Sequence, residues 1–165
     1  AQSFHIEPSE SFKFPNTKTL YEYWKQKCGE RPRPRWSDIE LMDIYKIAPC
    51  VCVRDVIEGD KDLLCRFWGS KLVELYNVDC TGKKVGDMYS AFGVDNTLEI
   101  YHQTLASDLP IRIIGNLGYV DRSESITLEG VFLRLDGVDK PDQHVIGGFH
   151  FGGIMDDDDL NKLLD

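Results

Sequence analysis

The residues best suited to bind a small molecule are polar and aromatic side chains in the middle of the sequence. Arg66 and Trp68 stand two positions apart in a strand-like segment, so both side chains are expected on one face of that strand. Arginine suits an anionic group, here a carboxylate or a phosphate, and aromatic rings suit the rest of a ligand. The alternative is that Arg66 pairs with an acidic residue and the rings fill a core. The predicted ligand-binding residues are Arg66, Trp68, Tyr89, Tyr101 and His102, and a wider set adds Tyr119 and His150.

Three cysteines offer a second kind of chemistry. Cys50 and Cys52 are expected on one face of a strand, with Cys65 close by on the paired strand. Zinc prefers four ligands at tighter turn spacings, whereas a buried cysteine behaves as a small apolar residue. We therefore predict buried thiols and no metal site.

The motifs of common catalytic sites are missing from the sequence. Its four histidines are not accompanied by a Gly-x-Ser-x-Gly motif, a phosphate-binding loop or a metal-binding histidine pair. Catalysis needs a nucleophile, a base and an orienting group that converge. The sequence therefore predicts a binding protein rather than an enzyme, with a small enzyme of unrecognised type as the remaining alternative.

Length and composition indicate one acidic globular domain. The 165 residues suit a single domain with extensions at its ends. The formal net charge of −9 disfavours binding to nucleic acid, and part of this charge lies in residues 155–165, with five Asp and one Lys. No apolar stretch approaches the roughly 20 residues of a membrane span. Five cysteines without an export signal predict free thiols and a cytoplasmic location.

The elements that must position these residues follow an α+β order with an antiparallel sheet. We expect an extended arm over 1–16, one domain over 17–152 and an acidic tail over 153–165. Asn16 and Thr17 are expected to cap the first helix, and a capping box over 37–40 is expected to open a short helix that ends before Pro49. The predicted elements are a helix over 17–28, strands near 50–56 and 63–69, short helices over 71–76 and 85–89, a helix over 98–107, and strands near 111–120, 125–135 and 144–152.

The predicted five-stranded sheet requires cover on both faces. The three late strands carry apolar residues at both alternating positions, as the segment 126–135 shows, so neither face is expected to meet water. Short helices are expected on one face. Leu20, Trp24 and Cys28 form an apolar stripe along the first helix, which makes that helix the second cover or the seam of a homodimer.

Several fragments of the sequence, in this order and spacing, resemble a bacterial group of single-domain PAS proteins. The fragments are Leu20-Tyr21-x-Tyr23-Trp24, Gly29-x-Arg31-x-x-Pro34, Asp38-Ile39, Arg66-Phe67-Trp68-Gly69-Ser70 and Tyr76-x-x-Asp79-x-Thr81-Gly82. The resemblance covers roughly residues 17–152. It implies a PAS fold and a role in sensing signals or binding partners, and it does not imply a particular ligand.

The resemblance also bears on cofactors and partners. Haem-binding PAS domains use a histidine where this sequence has Asn96, and flavin-based light sensors use a cysteine where it has Val85. No cofactor is therefore predicted. The sequence ends about a dozen residues after the last predicted strand, so we expect no fused output domain and a signalling protein as the partner. The alternative is a structural interaction domain with a filled core and no ligand.

Overall fold

The computed structural model describes residues 3–88, 97–118, 125–137 and 143–152. In this part of the chain no helix has the length and apolar character that crossing a membrane requires. Short 3-10 turns at Trp36–Asp38, Leu41–Ile44, Ala48–Cys50 and Gly86–Met88 connect the main elements. These elements are β1 (Ser3–Pro8), α1 (Pro15–Cys28), β2 (Val51–Ile57), β3 (Asp62–Trp68), α2 (Ser70–Tyr76), α3 (Thr97–Ala106), β4 (Ile111–Gly118), β5 (Ser125–Asp136) and β6 (Gln143–Phe151).

The strands form one open antiparallel sheet in the order β1-β4-β5-β6-β2-β3. The predicted α+β class and the antiparallel sheet are confirmed. The predicted count of five strands is wrong, because residues 3–8 of the expected arm pair with β4 as an edge strand. The six residues of β1 do alternate polar and apolar side chains, but the strand is short and its partner β4 lies more than a hundred residues away, so the local pattern does not reveal the pairing.

The β2–β3 hairpin contains a bulge that decides which side chains face inward. Val53 lies opposite Phe67 and Arg54 lies opposite Cys65 in the strand pairing. Arg66 is therefore an extra residue of β3 with no residue of β2 directly opposite it. An extra residue reverses the alternation of the strand beyond it. Cys65 and Trp68 therefore lie on the same face although they are three positions apart.

Both faces of the sheet are covered, as predicted. The inner face lies beneath α2, the 3-10 turn Gly86–Met88 and α3, and the outer face lies beneath α1 and the connector that follows it. The inner cluster includes Cys52, Leu63, Cys65, Trp68, Leu72, Cys80, Val85, Met88, Ile100, Tyr101, Phe132 and Phe149. The outer cluster includes Leu20, Trp24, Cys28, Ile39, Ile44, Val51, Val53, Val131, Leu133, Leu135 and Ile146.

Helix α1 covers the outer face with the predicted stripe. Leu20, Trp24 and Cys28 are buried there, and Trp24 Nε1 donates a hydrogen bond of 2.9 Å to the carbonyl of Arg134. Gly148 permits the close approach, since a Cβ at this position would collide with Leu20. The exposed side of α1 is polar (Lys18, Thr19, Glu22, Lys25 and Gln26), so its apolar stripe is already used within the chain.

Two predictions about helix starts are wrong. Asn16 and Thr17 lie inside α1, which begins at Pro15 after the extended residue Phe14 and has no side-chain cap at its own N-cap position. The segment expected to form one helix before Pro49 instead forms three separate 3-10 turns. Its capping box lies two residues earlier than expected, with the backbone amide of Arg35 donating to Asp38. The second difference arises where the connector packs on the outer face of the sheet, because tertiary packing overrides local helix preference.

Candidate functional site

The inner face carries a buried arginine, Arg54, in the middle of β2. Its side chain is 3% exposed, and Nε donates a hydrogen bond of 2.7 Å to the hydroxyl of Tyr101 on α3. The guanidinium carbon lies 5.4 Å from the ring centres of both Trp68 and Tyr101. These distances suit cation–π contacts. Strand β2, the end of β3 and helix α3 thus meet around a single cation.

Arg54 favours its charged form, whereas the phenol and the thiols beside it favour their neutral forms. Burial lowers the pKa of the Arg54 guanidinium, but Tyr101, Cys52 and Cys65 raise it by more, so Arg54 remains protonated. Burial raises the pKa of Tyr101 well above its usual value and outweighs the lowering effect of Arg54. Burial likewise raises the pKa of Cys52 and brings that of Cys65 to about 12. Near neutral pH the phenol and the thiols are therefore neutral beside a charged guanidinium.

The charge of Arg54 lacks a carboxylate partner within the described residues. The ion pairs there join other residues, and Arg54 Nη1 is buried with no hydrogen-bond acceptor. Buried polar groups are normally hydrogen-bonded, and a buried charge without a partner costs several kcal/mol. The arrangement can therefore accept a hydrogen-bonding anion.

The expectation that Arg66 shares the inward face with Trp68 is wrong. Arg66 is exposed and faces outward, where Nε donates to the two carboxylate oxygens of Asp55 at 2.8 and 3.1 Å. Its guanidinium lies over the ring of Trp36 at 5.7 Å. The bulge at Arg66 is the cause, because it turns that side chain away from Trp68.

Trp68 and Tyr101 do lie together on the inner face, and the Arg54 guanidinium is 5.4 Å from each ring centre. Their role as ligand-binding residues stays a prediction. Trp68 Nε1 also donates to the carbonyl of Val78 at 3.1 Å, and the Tyr101 ring meets Phe132 edge to face at 5.3 Å. These contacts fix the two rings beside the guanidinium.

The other predicted site residues do not join this pair. His102 is exposed on α3 while Tyr101 is 2% exposed, because neighbouring residues of a helix point about 100° apart. His150 lies on the outer side, where its ring stacks on Phe14 at 4.3 Å. Tyr89 and Tyr119 lie outside the described residues.

The sequence did contain a signal for Arg54. Val51 and Val53 face outward and Cys52 faces inward, so Arg54 occupies the next inward position of a largely apolar strand. A charged residue at such a position is rare unless it is paired or functional. That rule favours Arg54 over Arg66, since β2 is flanked by two strands and β3 by one.

The cysteines of the inner face pack as apolar residues. Cys52, Cys65 and Cys80 are buried, and burial raises the pKa of Cys80 to about 11. Cys50 precedes β2 and is half-buried. No group of three metal-binding side chains occurs within the ranges that the structure describes. Val85 is buried in the inner cluster, Asn96 lies outside the described residues, and the absence of haem and flavin stays a prediction.

A second buried arginine, Arg112, lies on the outer face and is fully charge-paired. Its Nε donates to Glu129 at 2.8 Å and its Nη1 donates to Glu7 at 3.1 Å. Glu129 is fully buried and also accepts hydrogen bonds from the backbone amides of Lys13 and Phe14 and from the hydroxyl of Thr17. This carboxylate therefore joins β4 and β5 to the start of α1, and it supplies the cap that α1 lacks in its own sequence.

Comparison with known proteins gives one match that spans most of the chain. A family model described as a PAS domain matches residues 12–149. No curated protein and no solved structure gives a significant match. The matched range begins before α1 and ends within β6, so it includes both faces of the sheet and the surroundings of Arg54.

Proposed function

The chain belongs to the PAS domain family, and we propose that it is a sensory module that binds a small molecule on its inner face and signals through a protein partner. PAS domains are in general sensory or interaction modules rather than enzymes. The ligand-binding group that we propose is Arg54 with Trp68 and Tyr101.

The unsatisfied guanidinium of Arg54 carries this proposal. Elsewhere in the described part of the chain, charged groups that are as deeply buried have partners, as Arg112 and Glu129 show. Arg54 is equally buried, yet its only hydrogen bond within the described residues goes to a neutral phenol. Arg134 also leaves its buried Nε without an acceptor, but its two other nitrogens donate to Ser107 and Gln143. A binding site keeps a donor such as Arg54 Nη1 available for its ligand.

Transmission to a partner would use the elements around Arg54. Ligand contact with Tyr101 acts directly on α3, and contact with Arg54 acts on β2, which lies between β3 and β6. Since α1 buries its apolar stripe within the chain, a homodimer through α1 would have to use its polar side. We therefore favour a different protein as the partner, in the cytoplasm, where the free cysteines would stay reduced.

A structural interaction domain with a filled core is the second candidate. The rings of Tyr101, Phe132 and Phe149 form a continuous series of edge-to-face contacts at 5.3 and 5.6 Å. Such packing is typical of a core without a ligand. Such a core does not explain why Arg54 Nη1 is buried without a hydrogen-bond acceptor within the described residues.

Native mass spectrometry of the purified full chain separates the two candidates. The sensory proposal predicts an added small-molecule mass on the wild type and on Arg66→Met, and its loss from Arg54→Met. Arg66→Met is a matched control because it removes an arginine from the same hairpin without touching the inner face. If the wild type carries no added mass and no compound of a metabolite library raises its melting temperature, the filled-core alternative replaces the sensory one.

A further inference from the structure

We propose that the small molecule bound at Arg54 is a monocarboxylate with an apolar body. Its carboxylate would accept hydrogen bonds from Arg54 Nη1 and from the hydroxyl of Tyr101. This inference rests on the proposed function and specifies the chemistry of that same site. It also moves the anion-binding role from the exposed Arg66, which Asp55 already neutralises, to the buried Arg54.

The number of charges favours one negative charge on the ligand. Arg54 contributes one positive charge, and the phenol and thiols around it are neutral near pH 7. A monoanion would leave a neutral buried pair. A phosphomonoester dianion would leave a net negative charge in an apolar surrounding, which is costly.

Arg54 and Tyr101 each offer a hydrogen-bond donor to a carboxylate. The Tyr101 oxygen accepts from Arg54 Nε, so its own hydrogen remains to be donated. Within the described residues its nearest alternative acceptor is Cys52 Sγ at 3.8 Å, and thiol sulfur is a weak acceptor. Arg54 Nη1 has no acceptor there at all. A carboxylate has two oxygens and can use both donors, with the stronger bond to the charged one.

The surroundings of these donors favour an apolar remainder of the ligand. The Trp68 ring lies beside the Arg54 guanidinium, the Phe132 ring packs against Tyr101, and Cys52 Sγ lies 3.8 Å from the Tyr101 hydroxyl. These three residues belong to the buried hydrophobic cluster of the inner face. A second polar group on the ligand would find few partners there and would lose its hydration. The site therefore fits a short aliphatic or an aromatic acid better than a hydroxy acid or a dicarboxylate.

Sodium hexanoate tests the proposal, with hexanamide as its neutral analogue and inorganic phosphate as an anion without an apolar body. Binding to the dialysed full chain would be measured by isothermal titration calorimetry and by the shift in melting temperature. We expect hexanoate to bind the wild type and Arg66→Met alike. We expect Arg54→Met to bind at least about tenfold more weakly and Tyr101→Phe about five- to tenfold more weakly, since hydrogen bonds to a charged group are the stronger ones. Arg54→Lys serves as a second variant if Arg54→Met does not fold, and it should retain part of the affinity.

Three outcomes would overturn the monocarboxylate while leaving the sensory function intact. Hexanamide could bind as tightly as hexanoate, Arg54→Met could retain full affinity for hexanoate, or native mass spectrometry could show a neutral or phosphorylated compound. A carboxylate of the chain itself that pairs with Arg54 would overturn the proposed function as well, because that function depends on a guanidinium without an anionic partner. Asp95 lies outside the described residues, and if Asp95→Asn destabilises the wild type but not Arg54→Met, that aspartate neutralises Arg54. If no small molecule binds at all, the proposed function fails together with the inference.

Discussion

Each face of the sheet buries an arginine, and the two arginines differ in the charge of their partners. Arg112 on the outer face and Arg54 on the inner face are both 3% exposed. Arg112 meets two carboxylates, Glu129 and Glu7, whereas Arg54 meets the hydroxyl of Tyr101 and two aromatic rings. Equal burial therefore does not imply an equal role. A cation with carboxylates holds the fold together, and we propose that a cation without one in the described residues binds a ligand.

The outer face is also where α1 is attached. Glu129 accepts hydrogen bonds from the two amides before α1 and from Thr17 inside it, and Trp24 donates to Arg134 further along the helix. Helix α1 is thus held to the outer face by the Glu129 carboxylate at its start and by the buried Trp24 ring further along, and both contacts stabilise the fold. The central charge of the inner face, Arg54, has no such carboxylate within the described residues.

The largest effect is expected from Trp24→Ala on the outer face. Trp24 is 6% exposed, and truncation of a buried tryptophan typically costs about 3–5 kcal/mol, to which the lost hydrogen bond to Arg134 adds. Urea denaturation followed by circular dichroism measures the change in the free energy of unfolding. Trp24→Phe, which removes mainly the hydrogen bond, should cost about 1–3 kcal/mol. If Trp24→Ala leaves both stability and oligomeric state unchanged, α1 does not support the outer face.

Glu129→Gln should be the next most harmful change. Removing one partner of a buried ion pair costs about 3–5 kcal/mol, and glutamine keeps one acceptor, which places the expected loss near 3 kcal/mol. Glu7→Gln is the control, because Glu7 contacts the same arginine but is partly exposed, and it should cost less than about 1 kcal/mol. Equal losses for the two variants would contradict the central position that we assign to Glu129.

Arg54→Met should behave in the opposite sense to Glu129→Gln. Replacing a buried charge by an apolar side chain is often neutral or stabilising, so the ligand-free variant should be unchanged or more stable by up to about 2 kcal/mol. Arg66→Met, which breaks an exposed ion pair with Asp55, should lose about 0–1 kcal/mol. The same urea titrations provide both values. A loss of 3 kcal/mol or more for Arg54→Met would mean that the fold needs this charge and that the contrast between the faces is wrong.

The smallest effect concerns pH and His150. Burial lowers the pKa of His150 below its usual 6.5, and this exceeds the opposing effect of Glu129. The unfolded chain therefore takes up a proton at a higher pH than the folded chain, so stability is complete above about pH 6.5 and falls as the pH decreases. Between pH 7.5 and 5.5 the wild type should lose well under about 1 kcal/mol, and His150→Phe, which keeps a ring against Phe14, should lose less.

His102→Gln is the control for that experiment, since His102 is exposed on α3 and outside the outer-face network. Its unfolding free energy should follow the pH dependence of the wild type. An identical pH dependence in His150→Phe would show that the stacking of His150 on Phe14 has no part in the response of the outer face to pH.

The sequence by itself determined the fold class, the hairpin, the long strands and the face of α1 that is buried. These features depend on apolar periodicity within one segment, and Leu20, Trp24 and Cys28 show that such a pattern is enough to select the buried side of a helix. It also supported the resemblance to PAS proteins, which the match over residues 12–149 confirms.

The tertiary structure alone decided that Arg66 faces outward, where α1 is capped and how residues 3–8 join the sheet. Each of these depends on a partner that is distant in the sequence. Glu129 caps α1 although it lies more than a hundred residues away in the sequence. Strand β1 pairs with β4 across a similar separation. The bulge that turns Arg66 outward is a property of the pairing of β3 with β2, so inspection of β3 alone places Arg66 beside Trp68. A shift of one residue in the pairing exchanges the two faces of a strand, and here it turned Arg66 outward, whereas Arg54 faces inward two positions after Cys52 on β2.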